Sequence, residues 1–510
     1  MSTWSDHAAL TTTDDRLDRA RIVHGLHGLL TDSGLTTPLV LGVYGDWGSG
    51  KTSLMRMLRN ELDSGAAGTT LTLWFDAWKY ARSEQSLWRA LLLAVVEALG
   101  DEERGLARLI RESPVSEEEF RLRVAESPEI TRDDIRRERL NRLRQELEEL
   151  RTSLYRSQTL TEKGDLRVNW GAALPFGADL ALRFATLGLA DKLGLSDFLG
   201  RLSGQDAKDA MQILEREQIT RYREQVRSVE QFQGTLTRLI EREVEGRETT
   251  LFVFIDDLDR CVPDGAVSVL EAVKLFLDLP SCVFVLGMDR EVVERGILQR
   301  YPPIPDPENP GGKPNTLVDP RQYLDKIIQL PFTLPPLTQP QVVRYLDDLF
   351  ARVEAYPLIR ACRKLIEVAT PPNPRTLKRV LNVLGLLVIL DSGRKIGPDD
   401  PELKERTPRA QRLAKIVLMQ VLFDKAYRMV AKDPENLIKL EQAAQDKGDH
   451  DMKKLVEDKP RLKAMLQQAP LSAVLDKKEL ATLVSLTELT AGSSVAIGAI
   501  QWNATFKAGS

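Results

Sequence analysis

Gly45-Asp-Trp-Gly-Ser-Gly-Lys-Thr52 is the stretch on which the fold turns. It satisfies the spacing G-x-x-x-x-G-K-T in full. Glycines at such positions let backbone N–H groups turn inward around anionic oxygens, and a helix starting directly behind them adds the positive end of its dipole. The flanks supply that context. Pro38-Leu-Val-Leu-Gly-Val-Tyr44 is a short apolar run, as expected of a strand buried on both faces, and Ser53 to Leu62 has helical spacing at Leu54, Met57, Leu58 and Leu62. The segment reads as a phosphate loop comprising Gly45, Asp46, Trp47, Gly48, Ser49, Gly50, Lys51, Thr52 and Ser53. Lys51 would contact the β- and γ-phosphates of a nucleotide, and the Thr52 hydroxyl would ligate magnesium.

A phosphate loop of this kind needs an acidic residue at the end of another buried strand. Thr250-Leu-Phe-Val-Phe-Ile255 is the candidate strand, and Asp256 ends it. Asp256 is expected on the magnesium and Asp257 on the attacking water. The plainer alternative for Asp257 is a cap on the helix that follows. Asp259 and Arg260 are expected to pair with each other. Two further strands are expected, at 69–75 and 282–287, with helices at 14–30, 86–99 and 267–277.

Lys51 and Asp256 are 205 positions apart, far more than one strand–helix–strand unit of about 30 residues requires. An insertion explains the excess. Residues 101–168 are densely charged, and Leu140, Leu143, Leu147, Leu150 and Leu154 repeat at steps of three and four, a short coiled-coil seam. A second amphipathic pattern runs over about 206–245, which completes a helical hairpin. Residues 302–320, rich in Pro, Gly and Asn, read as a loop. Helical patterning dominates from 338 onward, and Leu489 to Phe506 reads as a buried strand or interface segment.

Bulk composition narrows the function classes. The chain has 510 residues, 42% hydrophobic and 29% charged, with a net charge of −4. Those values suit a globular protein of several domains and offer no basic field for nucleic acid. The three cysteines have no metal-ligand spacing, and no secretory leader is visible, so a reducing cytoplasm is the expected location. No run is long and apolar enough to span a bilayer; Trp170 to Leu195 carries Asp179, Arg183, Asp191 and Lys192.

Six segments in order resemble the KAP family of P-loop NTPases: the phosphate loop, Phe75-Asp-Ala-Trp-Lys-Tyr80, Asp256-Asp-Leu-Asp-Arg-Cys261, Leu286-Gly-Met-Asp-Arg290, Tyr323-Leu-Asp-Lys-Ile-Ile-Gln-Leu-Pro331 and Asn373-Pro-Arg-Thr-Leu-Lys-Arg379. The similarity covers about residues 15–390. It implies an additional-strand P-loop fold related to AAA+ and STAND ATPases. It also implies a γ-phosphate sensor at Asp289, a second sensor on the helical lid at Arg375 and Arg379, and an arginine finger at Arg290 or Arg295 reaching a neighbouring subunit. Trp78 is expected as a core anchor behind the nucleotide.

The expected fold class is therefore α/β: a P-loop core with a mostly parallel, five-stranded sheet, an inserted helical hairpin and a C-terminal all-α region. The expected divisions are 1–100 and 250–335 for the core, 101–249 for the insertion, 336–400 for a helical lid and 401–510 for a further helical region. The expected activity is magnesium-dependent ATP hydrolysis by a homo-oligomeric switch, which the resemblance links to antiphage defence. The alternative is a catalytically slow ATP-binding scaffold that recruits a separate effector protein.

Overall fold

Short apolar runs of the sequence become a five-stranded parallel sheet in the order β2-β3-β4-β1-β5. The strands are β1 (Leu39–Tyr44), β2 (Thr70–Asp76), β3 (Thr250–Asp256), β4 (Cys282–Met288) and β5 (Leu330–Thr333). The computed structural model describes residues 8–65, 70–81, 87–162, 231–275, 279–301, 318–351 and 357–490. Trp170 to Leu195, residues 206–230 of the second amphipathic pattern, residues 302–317 of the loop and residues 491–506 of the C-terminal segment lie outside these described residues.

The runs are continuous because the central strands are covered on both faces. In β3, Leu251, Val253 and Ile255 face one way and Phe252 and Phe254 the other, and all five are buried. The Phe252 face packs against α1 (Ala20–Leu30) and α2 (Lys51–Ser64). The Leu251 face packs against α3 (Leu87–Gly100) and later helices. Strand pairing is level across the sheet: Tyr44 opposes Met288, Ile255 opposes Leu286, and Asp76 opposes Asp256. The additional strand β4 thus separates β1 from β3. The phosphate loop and Asp256 both emerge at the carboxyl edge, where open parallel sheets bind ligands.

The leucine seam lies on α4 (Arg132–Glu162). Leu143, Leu150 and Leu154 are buried in the same cluster as β2, β3 and α3, with Leu140 and Leu147 partly buried against it. Residues 231–243 form α5, which adds Phe232, Leu236, Leu239 and Ile240 to that cluster. Arg242 of α5 donates to Glu146 of α4 at 3.0 Å. Over the described residues, then, the insertion is continuous with the core of the sheet. Next come α6 (Pro263–Leu275) and α7 (Arg290–Arg300). The lead-in helix starts at Ala20, later than the periodicity predicts, because the Asp15 carboxylate accepts from the N–H groups of Arg19 and Ala20 and defines its start.

The chain divides into two compact units, with the break between Pro335 and Pro336. The second unit, which also takes Arg16–Asp18, is helical throughout its described residues from 339 onward, apart from turns and loops. Its principal helices are α8 (Gln339–Ala351), α9 (Pro374–Ser392), α10 (Leu403–Leu422), α11 (Asn436–Ala444) and α12 (Lys477–Glu488). One apolar cluster runs from Leu337 to Val484, so packing does not separate 336–400 from the helices after 401. At its centre Lys415 and Glu441 form a buried ion pair at 2.8 Å. Pro470 O accepts from the ammonium, and the Ser472 N–H donates to the carboxylate. That satisfaction is what makes such a pair tolerable in a core.

Candidate functional site

The loop geometry follows from its glycines. Gly48 and Gly50 have φ of 80° and 104°, in the left-handed region that side chains disfavour. A Cβ at Gly45 would lie 2.8 Å from Ser49 Oγ. The chain enters from β1 and leaves into α2, whose first residue is Lys51. Ser49 Oγ is buried with no hydrogen-bond partner, as befits a hydroxyl in a cradle shaped for phosphate oxygens. Two loop residues are turned elsewhere. Trp47 is 59% exposed, and the Ser53 hydroxyl accepts from the Ala9 N–H at 3.2 Å.

Asp256 ends β3 beside Thr52. It is 3% exposed, and its Oδ1 has no hydrogen-bond partner. Burial raises its pKa, against the pull of the Thr52 hydroxyl, the Asp257 N–H and the Lys51 ammonium. A buried carboxylate oxygen without a donor fits a hard cation, and with Thr52 it would hold magnesium alongside phosphate oxygens and water. Among the described residues no group of three or more His, Cys, Asp or Glu could hold a metal by itself. Room for the carboxylate comes from Gly287 on β4, where a Cβ would approach Asp256 Oδ1 to 2.9 Å and Met55 Sδ to 2.6 Å.

Asp257 stands next along the chain with φ of 58°. This left-handed step turns it out of the strand direction and into the short 3-10 turn Leu258–Arg260. Its carboxylate does not cap that turn; it pairs with Arg260 at 3.0 Å. Its pKa is pushed up to about 6, first by burial and then by the charge of Asp256, against the pull of Arg260. The expected Asp259–Arg260 pair is replaced by two others. Arg260 takes Asp257, and Asp259 pairs with Lys51 at 3.3 Å. One turn of 3-10 helix sends neighbouring side chains to different sides, which adjacency in sequence does not reveal. Trp78 is likewise not a core anchor. It is 41% exposed with the Arg260 guanidinium over its ring, while Phe75 and Ala77 are buried.

Asp289 follows β4, and its side chain caps α7 by accepting from the N–H groups of Glu291 and Val292. Arg290 is held by Glu294 at 2.8 Å and lies over the Tyr44 ring. The Arg295 side chain is 72% exposed; its Nε donates to the Glu291 carbonyl at 3.2 Å, and its guanidinium makes a loose 3.9 Å pairing with the Glu291 carboxylate. Arg375 and Arg379 sit on α9 of the helical unit. Asn373 caps that helix through the N–H groups of Arg375 and Thr376, and Pro374 takes the first position, so Asn-Pro in this segment is a helix start. Lys51, Thr52, Asp256, Asp257 and Asp289 therefore gather at one edge of the sheet. Sequence reasoning missed three residues at this edge. Asp259 was visible as a third acid in Asp256-Asp-Leu-Asp259, and Asp76 as an acid ending a strand level with Asp256. Nothing in sequence marks Gly287.

A family model described as the KAP family P-loop domain matches residues 19–390. Among solved structures, the chain is similar to Drosophila ORC bound to DNA at 13% identity, over 93% of this chain and 86% of that one, with a TM-score of 0.28. It is similar to the Aeropyrum pernix ORC1 protein in complex with DNA at 14% identity, over 95% and 85%, with a TM-score of 0.32. No curated protein matches it.

Proposed function

The chain belongs to the KAP family of P-loop domains, and from that premise we propose that it binds ATP with magnesium and hydrolyses it, acting as a nucleotide-dependent oligomeric switch in antiphage defence. The observation that carries the chemistry is Asp256: a buried carboxylate with an unpartnered oxygen, next to Thr52 and level with the phosphate loop. Magnesium bound there would neutralise charge on the phosphate oxygens. The loop N–H groups and Lys51 bind and orient the phosphates, and Asp257 accepts a proton from the attacking water. A carboxylate with a pKa of about 6 is ionised at neutral pH and closer to the pH of its task than an ordinary aspartate. Arg295, 72% exposed against 36% for Arg290 and only loosely paired with its own chain's carboxylates, supports a role across a subunit boundary better than Arg290, which Glu294 holds at 2.8 Å. The resemblance of the motif set supports the defence role.

A second reading has its own observation. Arg260 lies 3.0 Å from Asp257 and competes for the carboxylate lone pairs a water would use. If that pair persists with nucleotide bound, the chain is a slow ATP-binding scaffold that recruits an effector. One set of measurements separates the readings: calorimetric ATP affinity and steady-state turnover for wild type, Lys51→Ala and Asp257→Asn. Lys51→Ala should lose about 1.5–3 kcal/mol of binding, the worth of a charge-assisted contact. Asp257→Asn should keep affinity and lose about 10²–10⁴ in turnover. Unchanged affinity in Lys51→Ala removes the loop as the site. Wild-type turnover no faster than Asp257→Asn favours the scaffold.

A further inference from the structure

Lys51 is fully occupied by its own chain. Its ammonium donates to Gly45 O at 2.7 Å, to Asp46 O at 3.3 Å and to Asp259 Oδ2 at 3.3 Å. An ammonium has three N–H groups, and these are three acceptors. Both side chains of the ion pair are buried, at 8% and 5% exposure, so the contact is poorly screened by solvent. The same Asp259 oxygen accepts the Asp289 N–H at 3.1 Å, at the junction where β4 ends and α7 begins.

We infer that Asp259 is a positioning residue that stands in for phosphate. It neutralises Lys51 from within the chain, and an incoming phosphate must displace it. The two carbonyl contacts belong to the turn of the loop itself, whereas Asp259 comes from a different element and carries the charge with which phosphate competes. Without it, the buried ammonium would lack a counter-charge of its own chain, a costly arrangement. With it, every phosphate that binds first breaks an ion pair, so affinity is set below what the loop alone would give. Asp259 also lies on the 3-10 turn that carries Arg260, and its oxygen holds the first backbone N–H after β4. Displacement from Lys51 therefore changes the forces on the Asp257–Arg260 pair and on the Asp289 junction together. That links occupancy of the phosphate site to the groups proposed for water activation.

The inference rests on the loop being a nucleotide site, and the test keeps the two apart. Binding of inorganic pyrophosphate and of magnesium-free ADP is measured by calorimetry for wild type, Asp259→Asn and Asp76→Asn. Circular dichroism checks that each variant is folded, and Asp259→Ser replaces Asp259→Asn if the latter does not fold. Asp76 is the control: its charge acts on Asp256 and Asp257, but it is not paired with Lys51. Removing the Asp259 charge should tighten both ligands by about tenfold or more, the scale of one charge-assisted hydrogen bond. Asp76→Asn should change them much less. Equal or weaker binding by the Asp259 variants overturns the inference. So does equal tightening by Asp76→Asn, which would reduce the effect to general repulsion among the acids. Wild type that binds neither ligand overturns the nucleotide site itself, and the stand-in role with it.

Discussion

Asp257 is held where its charge is unwelcome. Its pKa rises from 3.8 to about 6, with burial the largest cause and Asp256 the next. The folded state therefore takes up a proton at higher pH than the unfolded chain does. Between about pH 4 and 6 the native form holds more protons, so stability falls as pH rises through that window, and the full cost stands above it. A shift of this size corresponds to about 3 kcal/mol before solvent screening. Asp257→Asn should therefore melt higher than wild type at pH 7.5, without nucleotide or magnesium, and the two should converge near pH 4. Thermal unfolding across that range checks it, and an asparagine variant less stable at pH 7.5 would show that the Arg260 pair outweighs the burial cost. The same pair explains why this residue was only partly legible in sequence. Its position after a buried strand is a matter of spacing, but its partner depends on a left-handed backbone step.

The leucine seam of α4 shows the same division among elements. Steps of three and four predict an amphipathic helix, and α4 is one. They do not say what covers it. Leu150 is 1% exposed and shares a cluster with Leu251, Val253 and Ile255 of β3, whereas Leu147 is only partly buried. Leu150→Ala should cost about 2–5 kcal/mol, as buried leucine truncations do, and Leu147→Ala clearly less. The loss should appear in denaturant unfolding of the whole nucleotide-binding unit, because that cluster is shared with its sheet. If Leu150→Ala leaves the stability of that unit unchanged, the seam packs independently of the core. Asn373-Pro-Arg375 carries a parallel lesson. A motif expected to supply a sensor is, in its first two residues, the cap and first turn of α9.

At the scale of the molecule, a site that needs an arginine from a neighbour is completed only on docking, so nucleotide binding and assembly must be coupled. Arg295 is the exposed candidate. Mass photometry should show larger particles with magnesium and a non-hydrolysable ATP analogue than without nucleotide, and Arg295→Ala should shrink the difference. One monomeric mass under every condition would sink the switch and leave the scaffold. By itself the sequence determined the phosphate loop, the acid ending β3, the parallel α/β class and the inserted and C-terminal helices. Those features are written in local spacing: glycines where φ must be positive, apolar runs where both faces are covered, periods of three and four where one face is. Tertiary structure alone decided which charges meet. Lys51 faces Asp259 across 208 positions, Arg260 takes Asp257 instead of Asp259, and Gly287 makes room for Asp256 from the neighbouring strand. Electrostatic partners are chosen by distance in space and by burial, and neither is carried by the order of residues along a chain.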